Sequence, residues 1–164
     1  RARPRAAGAE AGASAAAEGG PKEEEHGELK ALLEDLKQLG RVRLIVNTGA
    51  FVLESCTTFD ELSYGRGYAN LMTPSDNVDF HLKLELVSSA RFERKKAPEK
   101  LGGYDMMFVR FSDADAREQL SVFVMWPDGA QRGEYAPGQE EAFTALESKW
   151  GERTQFQLCE AGFY

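Results

Sequence analysis

The sequence predicts an α+β fold in which an antiparallel β-sheet is covered by an N-terminal and a C-terminal amphipathic helix. Apolar and polar residues alternate from Val78 to Leu86, which is the pattern of a half-buried strand. Two further β-rich runs, Tyr104 to Phe111 and Leu120 to Trp126, follow it. Apolar residues at helical spacing between Leu29 and Leu39, and again between Ala142 and Trp150, indicate the two helices.

Length and charge narrow the classes of protein to which this chain can belong. A chain of 164 residues is long enough for one domain with a full hydrophobic core. The net charge of -7 argues against binding to nucleic acid or to an anionic membrane surface, because both favour an excess of Lys and Arg. No run approaches the roughly 20 apolar residues that a membrane-spanning helix needs. We therefore expect no nucleic-acid partner and no transmembrane segment.

The first 20 residues differ from the rest. They include no aromatic and no branched aliphatic residue, so they cannot bury enough apolar surface to fold alone, and we expect a tail that is disordered or bound to a protein partner. Arg1, Arg3 and Arg5 precede any acid, as in an organelle-targeting remnant, which predicts a plastid location. A solvated tail of a cytoplasmic protein is an equally good interpretation. Residues 21–152 form the predicted domain and residues 153–164 a C-terminal extension.

The predicted N-terminal helix runs from Pro21 to Gly40. Proline suits a first helical turn, and the acidic residues Glu23 to Glu25 lie where the positive end of the helix dipole favours them. Gly40 is a natural stop. The apolar stripe of this helix is expected to cover one face of the sheet.

Strands and turns follow. Arg41 to Asn47 and Ala50 to Ser55 are predicted to form a hairpin across Thr48 and Gly49. Thr58 to Leu62 is predicted to form one helical turn, because Thr58 and Glu61 have capping-box spacing. Next we expect a sheet that contains the GRGYANL and DFHLKLELV runs. A strand at Ser88 to Arg94 and a surface loop at Lys95 to Gly103 are expected to follow it.

The remaining segments are shorter. Pro127 to Gly138 is predicted to be a long loop, Gln139 to Trp150 the second helix, and Gln155 to Cys159 a last short strand. Cys56 and Cys159 are the only cysteines. Their spacing predicts no zinc site, and we favour two free thiols, although a disulfide between them stays open.

The order of these segments resembles the intracellular haem-utilisation family, which includes small haem carriers and the halves of larger haem-degrading proteins. The resemblance covers Leu29 to Trp150. The residues that carry it are Gly67, Tyr68, Asn70, Leu71, His81, Leu82, Lys83, Leu84, Tyr104 and Phe108, together with the segment from Leu39 to Glu54. It implies a curved antiparallel sheet, a homodimer, and a haem that binds near the sheet and is carried to a degrading or receiving partner.

The resemblance also implies site residues. Tyr104 matches the position of an axial tyrosine, so we expect it to bind the haem iron; its alternative role is that of a half-buried strand aromatic. His81 is a second candidate for cofactor binding. Its place on the polar face of a strand equally favours a histidine that is hydrogen-bonded to a neighbouring carboxylate. His26 is interpreted as a solvated residue at a helix end.

One local excess of positive charge stands out in an acidic chain. Arg91, Arg94, Lys96 and Lys100 are expected to contact the haem propionates, since arginine in particular suits carboxylates. Solvated loop charges are the alternative. Soft apolar side chains between Met106 and Trp126 are suited to flank a porphyrin or to fill the interior of the sheet.

The predicted function is haem binding or intracellular haem trafficking by a protein that is not an enzyme. No nucleotide-binding, serine hydrolase or metalloprotease motif occurs in the sequence. The alternative is a non-catalytic accessory subunit, for example of a plastid pigment-protein complex, that uses the same scaffold for protein contacts. A haem-degrading enzyme is a third hypothesis, and the chain is half the length of the larger homologues.

Overall fold

The computed structural model describes residues 26–156 of the chain. Helix α1 runs over Gly27–Asp35 and α2 over Gln139–Trp150. The nine strands within residues 26–156 are β1 (Val42–Asn47), β2 (Val52–Thr57), β3 (Leu62–Gly65), β4 (Tyr68–Thr73), β5 (Val78–Lys83), β6 (Ser89–Lys96), β7 (Asp105–Ser112), β8 (Glu118–Val124) and β9 (Arg153–Gln155). Short 3-10 turns span Leu36–Leu39, Pro74–Asp76, Leu84–Leu86 and Glu99–Leu101.

Two antiparallel sheets contain all of the described strands. Six strands form one sheet in the order β2-β1-β8-β7-β6-β9, and three form a second sheet in the order β3-β4-β5. The α+β class with a curved antiparallel sheet is confirmed. The sequence prediction placed β4 and β5 in the same sheet as β7 and β8, which is wrong, because the 3-10 turn at Leu84–Leu86 ends the ladder of β5 before β6 begins.

Along the central strands, successive side chains point to opposite faces of the six-stranded sheet. On β7, Met107, Val109 and Phe111 are at most 1% exposed and belong to the main core. Their neighbours Met106 and Phe108 point to the opposite face of the sheet, because successive strand residues alternate between faces. Phe108 stacks there on Phe123, with ring centroids 4.4 Å apart.

The leucine stripe of the N-terminal helix is buried as the spacing predicts. Leu29, Leu32 and Leu33 of α1, with Leu36 and Leu39 of the following turn, are at most 1% exposed and join the strand residues in one core. The helical segment ends at Gly40, whose φ of 64° suits glycine. The residues predicted to begin this helix, Pro21 to Glu25, lie outside the described residues.

The C-terminal helix has the predicted bounds. Its Phe143 contacts Phe92 of β6 edge to face at 5.4 Å, which seats α2 against the six-stranded sheet. At its other end Trp150 donates its indole N–H to Asp35 Oδ2 at 2.7 Å, and Lys149 reaches the same oxygen. Those two contacts join α2 to the end of α1.

The structure differs from three local predictions. Thr58 to Leu62 is not helical, because the Thr58 hydroxyl donates to Asp60 two residues on instead of capping a helical turn. The strand through His81 ends at Lys83, so Leu86 is 57% exposed. The last strand is β9, which begins earlier than predicted; Cys159 lies outside the described residues, and its pairing with Cys56 stays a prediction.

Two polar contacts link the sheets. Arg41, which precedes β1, donates to Asp76 Oδ1 at 2.9 Å, and Asp76 lies in the turn between β4 and β5. The hydroxyls of Thr57 and Thr73 form a buried hydrogen bond of 2.9 Å between β2 and β4. The Arg41 guanidinium lowers the pKa of Asp76 through that hydrogen bond, so the carboxylate is favoured.

Gln139 is the buried polar group that joins the most segments. It is 6% exposed, and its amide donates to the carbonyls of Leu39 at 2.7 Å and Met125 at 3.0 Å. Its amide oxygen accepts from Ala136 N at 2.7 Å. One side chain therefore satisfies backbone groups from three separate parts of the chain.

Among the described residues, no helix is both long and apolar enough to cross a bilayer.

Replacing Gln139 by leucine is expected to lower the free energy of unfolding by about 3 kcal/mol, because two buried carbonyls and one part-buried N–H lose their partner. The exposed Gln38 provides a matched control, and Gln38→Leu is expected to change that free energy by no more than about 0.5 kcal/mol. Urea denaturation of the three proteins measures both values. Equal effects of the two substitutions would contradict the assigned role of Gln139.

The Arg41–Asp76 contact predicts acid sensitivity. A carboxyl whose pKa is lowered on folding stabilises the protein above its unfolded pKa of about 3.9, and that stability is lost as the pH falls through the folded pKa. Asp76→Asn is expected to cost about 2 kcal/mol at pH 7, with the cost shrinking below about pH 4. The exposed Asp128, 3.4 Å from Arg41, is the control, and Asp128→Asn should have little effect. A cost for Asp76→Asn that does not change with pH would refute this link.

Candidate functional site

Tyr104 lies in a small cleft on the face of the six-stranded sheet opposite to α2. The cleft has a volume of about 230 Å³. Trp126 holds the Tyr104 ring edge to face, with centroids 5.2 Å apart. The other residues that line the cleft are Arg43, Ile45, Met106, Phe123, Val124, Met125 and Tyr135. We name it the Tyr104 cleft.

Backbone from the loop after β8 fixes Tyr104 from one side. Gly133 has a φ of 80°, and a Cβ built there would lie 2.7 Å from Tyr104 Cγ, which is closer than real Cβ atoms come. Glycine is therefore required at 133 both for its backbone angle and for its lack of a side chain. Tyr135, in the same loop, donates to the carbonyl of Asp105 at 2.7 Å, and burial raises its pKa to about 12.

Two of the predicted propionate-binding cations lie near Tyr104 along the chain. Lys96 pairs with Asp105 at 3.0 Å, directly after Tyr104, and Lys100 lies in the exposed turn that connects β6 to β7. The register places Lys96 and Asp105 opposite each other. By alternation, both point to the other face of the sheet from Met106.

The other two predicted cations are placed elsewhere. Arg94 is held on the α2 side, where it donates to Glu147 at 3.2 Å and to Thr144 at 2.9 Å. Arg91 is five residues from Lys96 on β6, roughly 17 Å along an extended strand. The structure therefore does not bring the four cations together around Tyr104. Arg43, which the sequence analysis missed, does line the cleft; it belongs to no local cluster of charge, so nothing in the sequence indicated it.

His81 lies on the other sheet and lines a different cavity. This cavity has a volume of about 510 Å³ and is lined by Gly65, Arg66, Tyr68, Asn70 and His81, mostly through their apolar atoms. We name it the His81 cavity. It lies on the outer face of the three-stranded sheet, where β4 and β5 place Asn70 opposite His81 and Tyr68 opposite Lys83.

Core packing explains why these side chains point outward. Ala69 and Leu71 on β4 and Leu82 on β5 are at most 8% exposed and join the main core. Tyr68 and Asn70, which alternate with Ala69 and Leu71 along β4, must then point to the opposite face. Burial of the apolar residues of each strand thus fixes the direction in which the alternating polar residues point.

The GRG part of the GRGYANL segment forms the hairpin turn beside this cavity. Arg66 and Gly67 both have positive φ, 54° and 79°, as a two-residue hairpin loop requires. The turn sets Gly65 opposite Tyr68, and the absence of a side chain at Gly65 leaves room over that face. Tyr68 and Arg66 were not predicted as site residues; the signal was their place in the same motif.

Both ring nitrogens of His81 have a partner. Nδ1 lies 2.6 Å from Asn70 Oδ1, and Nε2 lies 3.0 Å from Asp79 Oδ1. The neighbouring carboxylate that the sequence predicted for His81 is present. The side chains of His81 and Asp79 are 49% and 71% exposed, so an incoming ligand can displace the Asp79 contact.

A third cavity, also about 510 Å³, lies between Arg41, Asp128 and the start of α2. Its charged and amide groups already have partners within the fold: Arg41 pairs with Asp76, and the Gln139 amide bonds to backbone groups. Across residues 26–156, no group of three or more His, Cys, Asp or Glu side chains is placed to hold a metal ion.

A family model described as haem utilisation ChuX/HutX matches residues 24–146, which are 123 of the 164 residues. The chain belongs to this haem-utilisation family. The family suspected from the sequence is thereby confirmed, and the match includes both the Tyr104 cleft and the His81 cavity.

Solved structures with the same fold agree. A protein from Erwinia carotovora is 22% identical, with a TM-score of 0.62, and the alignment covers 76% of this chain and 73% of that one. The haem-binding protein ChuX is 20% identical, with a TM-score of 0.61 and coverage of 76% and 74%. A search of curated protein sequences found no match.

Larger proteins share the fold over part of their length. ChuS, a haem oxygenase from E. coli, is 15% identical with a TM-score of 0.58. The alignment covers 79% of this chain but 33% of ChuS. This haem-utilisation protein thus spans about a third of that enzyme, and at such low identity the likeness shows the fold.

The contact between Gly133 and Tyr104 predicts a position-specific loss of stability. Gly133→Ala and Gly129→Ala both place a side chain at positive φ, which costs about 1–2 kcal/mol. Only Gly133→Ala also meets a neighbour, since nothing lies within 4 Å of a Cβ at Gly129. Denaturant titration should show Gly133→Ala to be at least about 1 kcal/mol less stable than Gly129→Ala. Equal stabilities would mean that the loop does not hold Tyr104.

Proposed function

We propose that this protein binds haem in the His81 cavity and passes it to another protein, without transforming it. The observation that carries the proposal is a cavity of about 510 Å³ on the outer face of the small sheet that combines a histidine, an aromatic ring and an arginine. The family supports this function, and the solved haem-binding relative ChuX supports it further.

The volume favours the His81 cavity over the Tyr104 cleft. Sites for cofactor-sized molecules measure roughly 300–1,000 Å³, so a cavity of about 510 Å³ is in range. The Tyr104 cleft, at about 230 Å³, accommodates only an edge of a macrocycle. Haem bound there would need the cleft to widen.

The donor groups of the His81 cavity also suit haem. Imidazole is a common ligand of haem iron, and His81 is exposed enough to offer Nε2. The Tyr68 ring provides a flat apolar wall. Arg66 supplies positive charge for a carboxylate from within the lining, whereas Lys83 lies outside the lining and pairs with Glu85. Bound haem would supply an iron centre and two propionates for these groups.

Tyr104 remains the second candidate for the iron ligand. Its support is the aromatic and methionine lining of its cleft; Lys96 points to the other face of the sheet, and Lys100 lies in the exposed turn before β7. Under the His81 proposal these residues do not touch the haem. Arg94 is engaged by α2 in either case, and Arg91 lies at the other end of β6.

The proposal assigns no enzymatic activity to the protein, which carries haem and does not degrade it. The likeness to ChuS extends over a third of that haem oxygenase, so oxygenase activity is not transferred to this chain. The homodimer, like the carrier role, is an expectation from the family. The plastid location rests on residues 1–20, which lie outside the described residues, and the accessory-subunit hypothesis rests on that tail together with reuse of the scaffold for protein contacts; both stay predictions.

Hemin titration tests the proposal. The parent protein is expected to give a saturable Soret band at micromolar concentration, and His81→Ala should shift the band and weaken binding by at least about tenfold, since loss of the ligand costs no less than loss of the partner that orients it. His26→Ala is the control with the other histidine, and it should match the parent. Tyr104→Phe should also match the parent.

The opposite pattern is equally informative. A band that Tyr104→Phe abolishes and His81→Ala leaves unchanged would move the haem to the Tyr104 cleft. No saturable band in any of the proteins would refute haem binding.

A further inference from the structure

We propose that the two hydrogen-bond partners of His81 act in opposite directions on iron binding: Asn70 positions the imidazole, and Asp79 competes with the iron for it. The inference rests on the proposed haem function. It follows from the two contacts of the ring, Nδ1 to Asn70 Oδ1 at 2.6 Å and Nε2 to Asp79 Oδ1 at 3.0 Å.

The Asn70 contact selects which nitrogen can bind iron. A histidine that ligates a metal through one nitrogen almost always donates the N–H of the other to an oxygen, which fixes its ring orientation and makes it a better donor. Asn70 Oδ1 can only accept, so it takes the Nδ1–H and leaves Nε2 as the nitrogen for iron; on binding, Nε2 gives up both its contact with the Asp79 carboxylate and the proton which that contact requires. Asn70 lines the same cavity as His81 and points to the same face.

The backbone holds Asn70 in place independently of His81. Asn70 is the cross-strand neighbour of both Ser63 on β3 and His81 on β5, so it occupies the central strand of its sheet. The Ser63 hydroxyl donates to the Asn70 carbonyl. An acceptor on a central strand is less free to move than one on a loop, as a positioning residue requires.

Asp79 lies on the side of the ring that iron must approach. It is two residues before His81 on the same strand and the same face, and its carboxylate contacts Nε2. Nε2 cannot bind iron and keep that contact, so the contact must break when haem binds. The pair is exposed, which makes the contact weak and the competition modest.

Three substitutions separate these roles. Asn70→Ala removes the acceptor and is expected to weaken hemin binding about 10- to 100-fold, the usual effect of losing such a partner. Asn70→Asp keeps an acceptor of the same size and should restore near-parent affinity. Asp79→Ala removes the competitor and should tighten binding by no more than about fivefold.

Spectroscopy distinguishes positioning from a loss of fold. The iron–histidine stretching band of the ferrous complex responds to the hydrogen bond at Nδ1. It should fall in frequency in Asn70→Ala and rise in Asn70→Asp. Met72→Ala, on the same strand and face and 53% exposed, is the control and should leave affinity and band unchanged. Circular dichroism melting of each variant reports its folding.

The possible failures are distinct. If His81→Ala removes the histidine band while Asn70→Ala keeps parent affinity and frequency, the haem function stands and the positioning role is refuted. If Asp79→Ala weakens hemin binding, the competing role is refuted. If His81→Ala leaves the hemin spectrum unchanged, the His81 assignment and this inference fail together.

Discussion

The alternation of side chains along the strands is the constraint on which the rest of this structure depends. Each strand that packs on the leucines of α1 must send every second residue to the core, since burial of apolar area is the main stabilising term. Its remaining residues are then fixed on the opposite face. On β4, Ala69 and Leu71 enter the core, and Tyr68 and Asn70 point outward; on β7, Met107 and Val109 enter the core, and Met106 points outward.

The candidate functional surfaces are consequences of this division. The three-stranded sheet has one buried face and one exposed face, and the exposed face carries the His81 cavity. The two-residue turn at Arg66 and Gly67 places an arginine among the residues that line the cavity. Because the core residues hold β4 and β5 rigidly, the contact between Asn70 and His81 is preorganised before any ligand arrives.

Local features of the fold could be predicted from the sequence. The leucine stripe, the β1–β2 hairpin and the full length of α2 depend on spacings within one segment, and the structure confirms them, although the hairpin loop spans residues 48–51 and β2 begins at Val52, two residues later than predicted. The partition of strands into two sheets could not be predicted, because strand pairing between distant segments is not encoded in the alternation of either strand. Thr58 gave a misleading helical signal for a local reason, because its hydroxyl donates to Asp60 instead of capping a helical turn.

The site was predictable in part. The sequence indicated His81 and its carboxylate neighbour, because both lie on one strand. It missed Arg66 and Tyr68, although they lie in the motif that carried the family resemblance, and it grouped Arg94 with Tyr104, although the two lie on opposite faces of the six-stranded sheet. Proximity in the chain was mistaken there for proximity in space.

The location of the iron tests the central claim most directly. A crystal of the hemin complex, measured at the iron absorption edge, gives the iron position without assuming any ligand. The account predicts one anomalous peak within bonding distance of His81 Nε2, on the outer face of the three-stranded sheet. A peak beside Tyr104, with the His81 cavity empty of haem, would contradict it.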